Sequence, residues 1–327
     1  MLPWLAPGQF PLYLAPMAGF TDPAFRDLCK AMGADVLVTE FVRANSLLRG
    51  GRSAWFNLTF PESQRPIGTQ LFGATPEEMA EAATIVHERL RPDFIDLNFG
   101  CPADSVTCRQ AGSSLLLDLP QLERIVSATV KAVPTTPVTA KIRIGWDDDH
   151  IVAVEAAQRC ETAGAKAITV HGRTKAQGYA GDARWEVISE VARTVKIPVI
   201  GNGNVRTTGD VLKRKQDSGV AGIMIGRAAL GYPWLFREIK HRMATGETPP
   251  PPTTEERWQT LLDYTRRLIH YSDGLISPDH IGGLHAKIKS LTKDMPGCKK
   301  LRPLIERCTT LADLEALVTT MQTVPSS

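Results

Sequence analysis

Phe94-Ile95-Asp96-Leu97-Asn98-Phe99-Gly100-Cys101-Pro102 reads as a buried strand that delivers one thiol onto a loop. Gly100 lets the backbone turn tightly beside the thiol, and Pro102 stops the strand from continuing. An isolated small Cys at a strand end is most often packing. The company this one keeps points to chemistry instead.

Working outward, β-rich runs recur at Leu12–Pro16, Val36–Thr39, Ile67–Phe72, Phe94–Asn98, Val138–Arg143, Ala167–His171, Pro198–Asn202 and Gly222–Gly226. Between them lie stretches of helical periodicity such as Pro76–Leu90, Gln121–Val133 and Ile151–Ala163. Nearly continuous apolar runs suit parallel strands covered on both faces. Eight strand–helix units in series predict an α/β fold, a (β/α)8 TIM barrel followed by a small C-terminal helical domain. A doubly wound sheet is the rival. Its glycine fingerprint is missing, because the first turn reads Ala15-Pro16-Met17-Ala18-Gly19.

The barrel is expected over residues 1–245. Residues 246–254, which include Pro249 to Pro252, form a stiff spacer. Thr253-Thr254-Glu255-Glu256 carries a hydroxyl cap and first-turn acids, opening a helical domain over 255–327. The 327 residues, 43% hydrophobic and 22% charged, are ordinary for a globular chain. Their net charge of +3 does not by itself announce a nucleic-acid binder. No apolar run reaches the roughly 18 residues of a membrane span, and the N-terminus lacks a signal-peptide pattern. Six cysteines, none in a CxxC pair, fit reduced thiols in a cytoplasmic enzyme without metal.

In such a barrel the strand C-termini and following loops build the active site. Polar groups stand at those ends: Gln70, Asn98 with Cys101, Lys141 with Arg143, His171, Asn202-Gly203-Asn204, and Gly226-Arg227. The last two loops follow strands seven and eight, where barrels commonly cradle phosphate. A phosphate cradle plus Gln70, Lys141 and His171 suits flavin mononucleotide (FMN) lying across the mouth. Gln70 can both donate to and accept from an imide edge, and Lys141 can neutralise charge on a reduced ring. Pyridoxal phosphate on Lys141 remains formally open.

These motifs resemble the tRNA-dihydrouridine synthases, flavoenzymes that reduce a uracil base within tRNA. The similarity runs from Ala15-Pro16-Met17-Ala18-Gly19 through Gln70-Leu71, Asp96-Leu97-Asn98-Phe99-Gly100-Cys101-Pro102 and Lys141-Ile142-Arg143. It continues in His171-Gly172-Arg173-Thr174, Asn202-Gly203 and Met224-Ile225-Gly226-Arg227. The pattern is most similar to the bacterial B-type branch. The resemblance implies that Pro16, Met17 and Ala18 line the flavin and that Gln70, Lys141 and His171 contact its ring. It implies that Asn202, Gly203, Asn204, Gly226 and Arg227 hold its phosphate, and that Cys101 protonates the base. NADPH is implied as electron donor, and a D-loop uridine of tRNA, near the elbow, as substrate. Asn204 stands where the family commonly has an acid, and Cys108 where it is usually basic.

An extruded base needs a basic grip on the RNA around it. Asn98, Arg143, Arg173, Lys175, Lys287 and Lys289 are the candidates. The last two open a cluster that continues through Lys293, Lys299, Lys300, Arg302 and Arg307. A monomer without membrane attachment is expected. The alternative is a flavin-dependent dehydrogenase of free pyrimidines, of dihydroorotate or dihydropyrimidine type, which would need neither the proline spacer nor the basic helices. A barrel that binds RNA without chemistry would not need Cys101, Lys141, His171 and Arg227 together.

Overall fold

The computed structural model describes residues 2–271, 288–293, 303, 304, 307, 308, 310, 312, 313 and 315–317. The chain divides into two compact units, one of residues 1–18 with 34–226 and one of 19–33 with 227–327.

The first unit is built on nine parallel strands: β1 (Leu12–Leu14), β2 (Leu37–Val38), β3 (Val42–Arg43), β4 (Ile67–Phe72), β5 (Phe94–Phe99), β6 (Val138–Arg143), β7 (Ile168–His171), β8 (Val199–Asn202) and β9 (Gly222–Ile225). Their order is β1-β9-β8-β7-β6-β5-β4-β2, and β3 also pairs with β4. A parallel bridge between Tyr13 and Val36 joins β1 to the segment entering β2 and closes the ring. The fold is therefore a TIM barrel, and the doubly wound alternative is excluded. All eight expected strands are present, with β4 and β6 at the anticipated boundaries. The Pro76–Leu90 helix also matches its expected limits. Thr75 accepts from the Glu78 N–H at its start, and Pro76 occupies the first turn, where no donor is needed.

Period-two alternation decides what each strand turns inward. Along β5, Phe94, Asp96 and Asn98 share one face, and Thr139, Lys141 and Arg143 share the corresponding face of β6. The register sets Asp96 against Thr139 and Asn98 against Lys141. Lower in the barrel, Tyr13, Phe94, Ile200 and Met224 pack with Leu2 and Trp4 from the N-terminal segment. Trp4 Nε1 donates to the Tyr13 hydroxyl at 2.7 Å. Apolar packing thus fills this level of the interior, beneath the polar strand ends.

In the second unit, the Pro23–Ala31 helix is capped by Asp22, which accepts from the Phe25 N–H at 2.8 Å. Tyr264 and Tyr271 of the Thr254–Tyr271 helix donate to Asp22 and Asp27 at 3.0 and 2.6 Å. Trp234 and Phe236 are fully buried around the start of the Leu235–Thr245 helix. The Thr254–Tyr271 helix starts at the anticipated place, with Thr253 accepting from the Glu256 N–H at 3.1 Å. The prolines 249–252 precede it without regular structure. Among the described residues no helix is long and apolar enough to cross a membrane.

Candidate active site

Cys101 sits where β5 has ended, and the loop that carries it is held from several sides. Asn98 Oδ1 accepts from the backbone N–H of Gly100 at 3.0 Å and of Cys101 at 2.8 Å. The Cys101 carbonyl accepts from the backbone N–H of Ser113 at 3.1 Å and from its hydroxyl at 2.9 Å. Gly112, at φ 62°, passes so close that a Cβ there would lie 2.9 Å from that carbonyl and 2.7 Å from Val106. The thiol side packs against the Phe72, Val106 and Ala111 cluster. Burial there raises the Cys101 pKa, only partly opposed by a backbone hydrogen bond from Ala103 and by Arg143 and Lys141. The thiol is therefore neutral at pH 7 and holds a proton to give. Cys108 is exposed, at the end of the short Asp104–Thr107 helix.

Beneath the loop runs a buried polar chain. Asn98 Nδ2 donates to Gln70 Oε1 at 2.8 Å, and Gln70 Nε2 donates to Asp96 Oδ2 at 2.6 Å. Thr139 donates to the other Asp96 oxygen at 2.5 Å. Gln70 keeps a second N–H and a second lone pair beyond these bonds, the pairing an imide edge requires.

Lys141 lies beside this chain and donates to Asn202 Oδ1 at 3.4 Å. Its pKa falls to about 8, first through burial and then through the Arg143 charge, with Asp96 and Cys101 opposing the fall. Asn202 Nδ2 in turn donates to the Met224 carbonyl at 2.8 Å, which fixes the amide that meets Lys141.

Arg143 is buried, and its guanidinium binds three backbone carbonyls. It donates to Gly100 O at 2.9 Å, Thr174 O at 2.7 Å and Gly178 O at 2.8 Å. Arg173 is equally buried and reaches Ala180 O, Gly181 O, Asn204 Oδ1 and, at 3.4 Å, His171 Nε2. A guanidinium only donates, so in this contact His171 Nε2 is the accepting atom. Lys175 stacks on Trp146 at 4.7 Å and approaches Asp104 at 3.7 Å.

After β8 the chain turns through Gly203 at φ 126° and Asn204 at φ 50°. A Cβ on Gly203 would stand 2.6 Å from the Ala183 Cβ and 3.2 Å from the His171 ring. Trp185 Nε1 donates to the Gly203 carbonyl at 2.8 Å, and Asn204 Nδ2 donates to Asp182. The loop is thus pinned with bare backbone at Gly203, a cradle that suits a phosphate. Gly226 follows β9, next to Ala15 and Met17, while Pro16 and Ala18 complete the β1 loop. Arg227 opens the Arg227–Gly231 helix of the second unit. Of the basic candidates near the C-terminus, Lys289, Lys293 and Arg307 are described, whereas Lys287, Lys299, Lys300 and Arg302 lie outside the described residues.

The model of the dihydrouridine synthase family matches residues 13–325. The chain belongs to that family. It is 38% identical over 309 residues to tRNA-dihydrouridine synthase B of Pseudomonas aeruginosa, spanning 93% of this chain and 90% of that protein. A probable tRNA-dihydrouridine synthase of Aquifex aeolicus is 34% identical over 299 residues, or 89% and 90% of the two chains. Solved structures of similar fold include histamine dehydrogenase from Rhizobium, at TM-score 0.53 and 13% identity over 78% of this chain and 48% of that one. A variant of NCR from Zymomonas mobilis aligns at TM-score 0.52 and 12% identity, over 78% and 95%. Membership makes this chain a flavin-dependent oxidoreductase. The donor set fits a flavin: an amide with spare donor and acceptor, a cation of lowered pKa, an imidazole at the strand end and a glycine cradle.

Asp96, Thr139, Trp185 and Gly112 shape the site without having stood out as candidates in the sequence. Asp96 and Thr139 were accessible, since each lies two residues before a strand-end candidate and so shares its face. Trp185 gave no local signal, because its partner Gly203 lies 18 positions away.

Proposed function

We propose that this chain reduces the C5–C6 bond of a uridine in the D-loop of tRNA, with FMN as cofactor and NADPH as electron donor. The observation that carries the reading is a half-buried thiol, its pKa raised by burial, on a loop braced by Asn98, which is itself bonded to Gln70. When bound, the flavin supplies the hydride for C6. Cys101 supplies the proton for C5, a role for a protonated acid at neutral pH that contributes about 10²–10⁴-fold in general. Gln70, Lys141 and His171 orient the ring, with Pro16, Met17 and Ala18 along it. Asn202, Gly203, Asn204 and Gly226 take the phosphate end. Lys175, and Lys289, Lys293 and Arg307 of the C-terminal segment, grip the RNA backbone, while the base leaves its stack to reach the thiol. Arg143 and Arg173 contribute by holding loops through the backbone carbonyls they bind.

The test is anaerobic stopped-flow absorbance of the NADPH-reduced protein, mixed separately with unmodified tRNA, orotate and uracil. Prompt flavin reoxidation by tRNA alone is expected. Reoxidation by a free base would move the protein to the dehydrogenases of free pyrimidines. Cys101→Ala should retain flavin and accept electrons from NADPH yet fail to turn over. Full activity in that variant would assign the proton to another group.

A further inference from the structure

We propose that the carboxylate of Asp96 is a positioning residue for Cys101, because it sets the direction of the buried amide chain that holds the thiol-bearing loop. The inference deepens the reading above, in which Cys101 is the acid, and gives it a structural origin two strand positions below the active-site mouth.

An ionised carboxylate only accepts hydrogen bonds. Asp96 therefore compels its neighbours to point donors at it, and Thr139 and Gln70 do so at 2.5 and 2.6 Å. With its NH2 turned to Asp96, Gln70 must present its oxygen to Asn98. Asn98 then spends its NH2 on Gln70, which leaves Oδ1 facing the loop. That oxygen is what the N–H groups of Gly100 and Cys101 require. Each amide in the series is symmetrical in shape and could sit either way round. The two ends fix the direction: Asp96 presents an acceptor to Gln70, and the backbone N–H groups of Gly100 and Cys101 demand one from Asn98. Reversing one amide would set donor against donor or acceptor against acceptor. Gln70, Asp96 and Asn98 are all buried, so solvent cannot repair the mismatch.

Burial raises the Asp96 pKa, opposed by the hydrogen bonds from Thr139 and Gln70 and then by the Lys141 charge. One donor on each carboxylate oxygen, at 2.5 and 2.6 Å, is what makes the group an acceptor here. The chain so described reads from the barrel interior outward: Thr139, Asp96, Gln70, Asn98, Cys101. The Asp96 carboxylate acts at the thiol without touching it.

Alkylation by iodoacetamide, resolved cysteine by cysteine by peptide mass spectrometry on the flavin-loaded full chain, tests this. Exposed Cys108 serves as the internal reference, and buried Cys29 and Cys160 report unfolding. Asp96→Ala should raise Cys101 labelling relative to Cys108 by about fivefold, the equilibrium equivalent of one ordinary hydrogen bond lost, with Cys29 and Cys160 still protected. Asp96→Asn should keep the wild-type ratio. Its amide oxygen can accept from Gln70, while the Thr139 hydroxyl rotates to accept from its NH2. An unchanged ratio in Asp96→Ala overturns the proposal. So does an equal rise in Asp96→Asn, since charge rather than direction would then hold the loop. If Asp96→Ala exposes Cys29 and Cys160, Asp96→Asn combined with Thr139→Val takes its place. That pair removes the acceptor for the new NH2 and should give the same rise, and no rise overturns the proposal. No RNA enters the assay, so failure of the tRNA reading leaves this pattern intact.

Discussion

Replacing Lys141 by Met should remove a pH dependence that the fold itself creates. A lysine with an ordinary pKa of 10.5 in the unfolded chain falls to about 8 in the barrel. The native state therefore binds fewer protons than the unfolded state between these values, and stability rises with pH across that window. The sign is that of a buried cation. Below pH 8 the cost of holding it is present in full, and the cost fades as pH climbs toward 10.5. At about 1.4 kcal/mol per pKa unit, the whole cost is roughly 3 kcal/mol. From pH 7 to 9.5 the protein should gain about 2 kcal/mol through this residue. The assay is urea denaturation of flavin-free wild type and Lys141→Met at several pH values in that range. Stopping at 9.5 avoids most of the opposing effect of Tyr13, whose hydroxyl burial pushes well above its usual range. The variant's absolute stability is immaterial, because only the difference in slope counts. Two curves that run parallel would refute the account, and with it the claim that the site holds a cation at an energetic cost.

Further outcomes follow from the loops. Gly203→Ala places a Cβ 2.6 Å from Ala183 at φ 126°, so it should destabilise by about 1–3 kcal/mol and weaken flavin retention, read by thermal melting and by fluorescence of released flavin. Trp185→Phe removes the donor to the Gly203 carbonyl and should cost about 1 kcal/mol or somewhat more in urea, with loss of flavin affinity as its second sign. Arg143→Lys keeps the charge but cannot span three carbonyls, so it should lose about 2–4 kcal/mol of stability and loosen both loops in hydrogen exchange. Unchanged exchange around Gly100 and Gly178 would argue against the bracing role.

The barrel was legible because each strand is a short apolar run bounded by turn residues, and Phe94–Asn98 falls one residue short of β5. Short β3 was not legible, since Val42–Arg43 is too brief to show a period. The inclusion of residues 19–33 with 227–327 in one unit also left no mark. It rests on contacts such as Tyr264 with Asp22, separated by 242 positions. Within the site, Gln70, Lys141 and His171 were visible from their places at strand ends. What each does there depends on neighbours that only the closed ring supplies. Arg143 and Arg173 show the limit most clearly. Arginines at strand ends suggest phosphate contacts, but whether a guanidinium faces solvent or backbone carbonyls is decided by loops from adjacent strands.

The three carbonyls gathered by Arg143 bear on how such a barrel can change. Loops on a (β/α)8 scaffold are commonly treated as exchangeable parts, each free to vary while the strands stay fixed. Here one side chain of β6 ties the loop after β5 to two points in the loop after β7, and Lys175 and Asp104 repeat the link. A transplant of the β7 loop from a relative would therefore carry the geometry of the thiol loop with it. Successful chimeras should be those that move the two loops and Arg143 as one cassette.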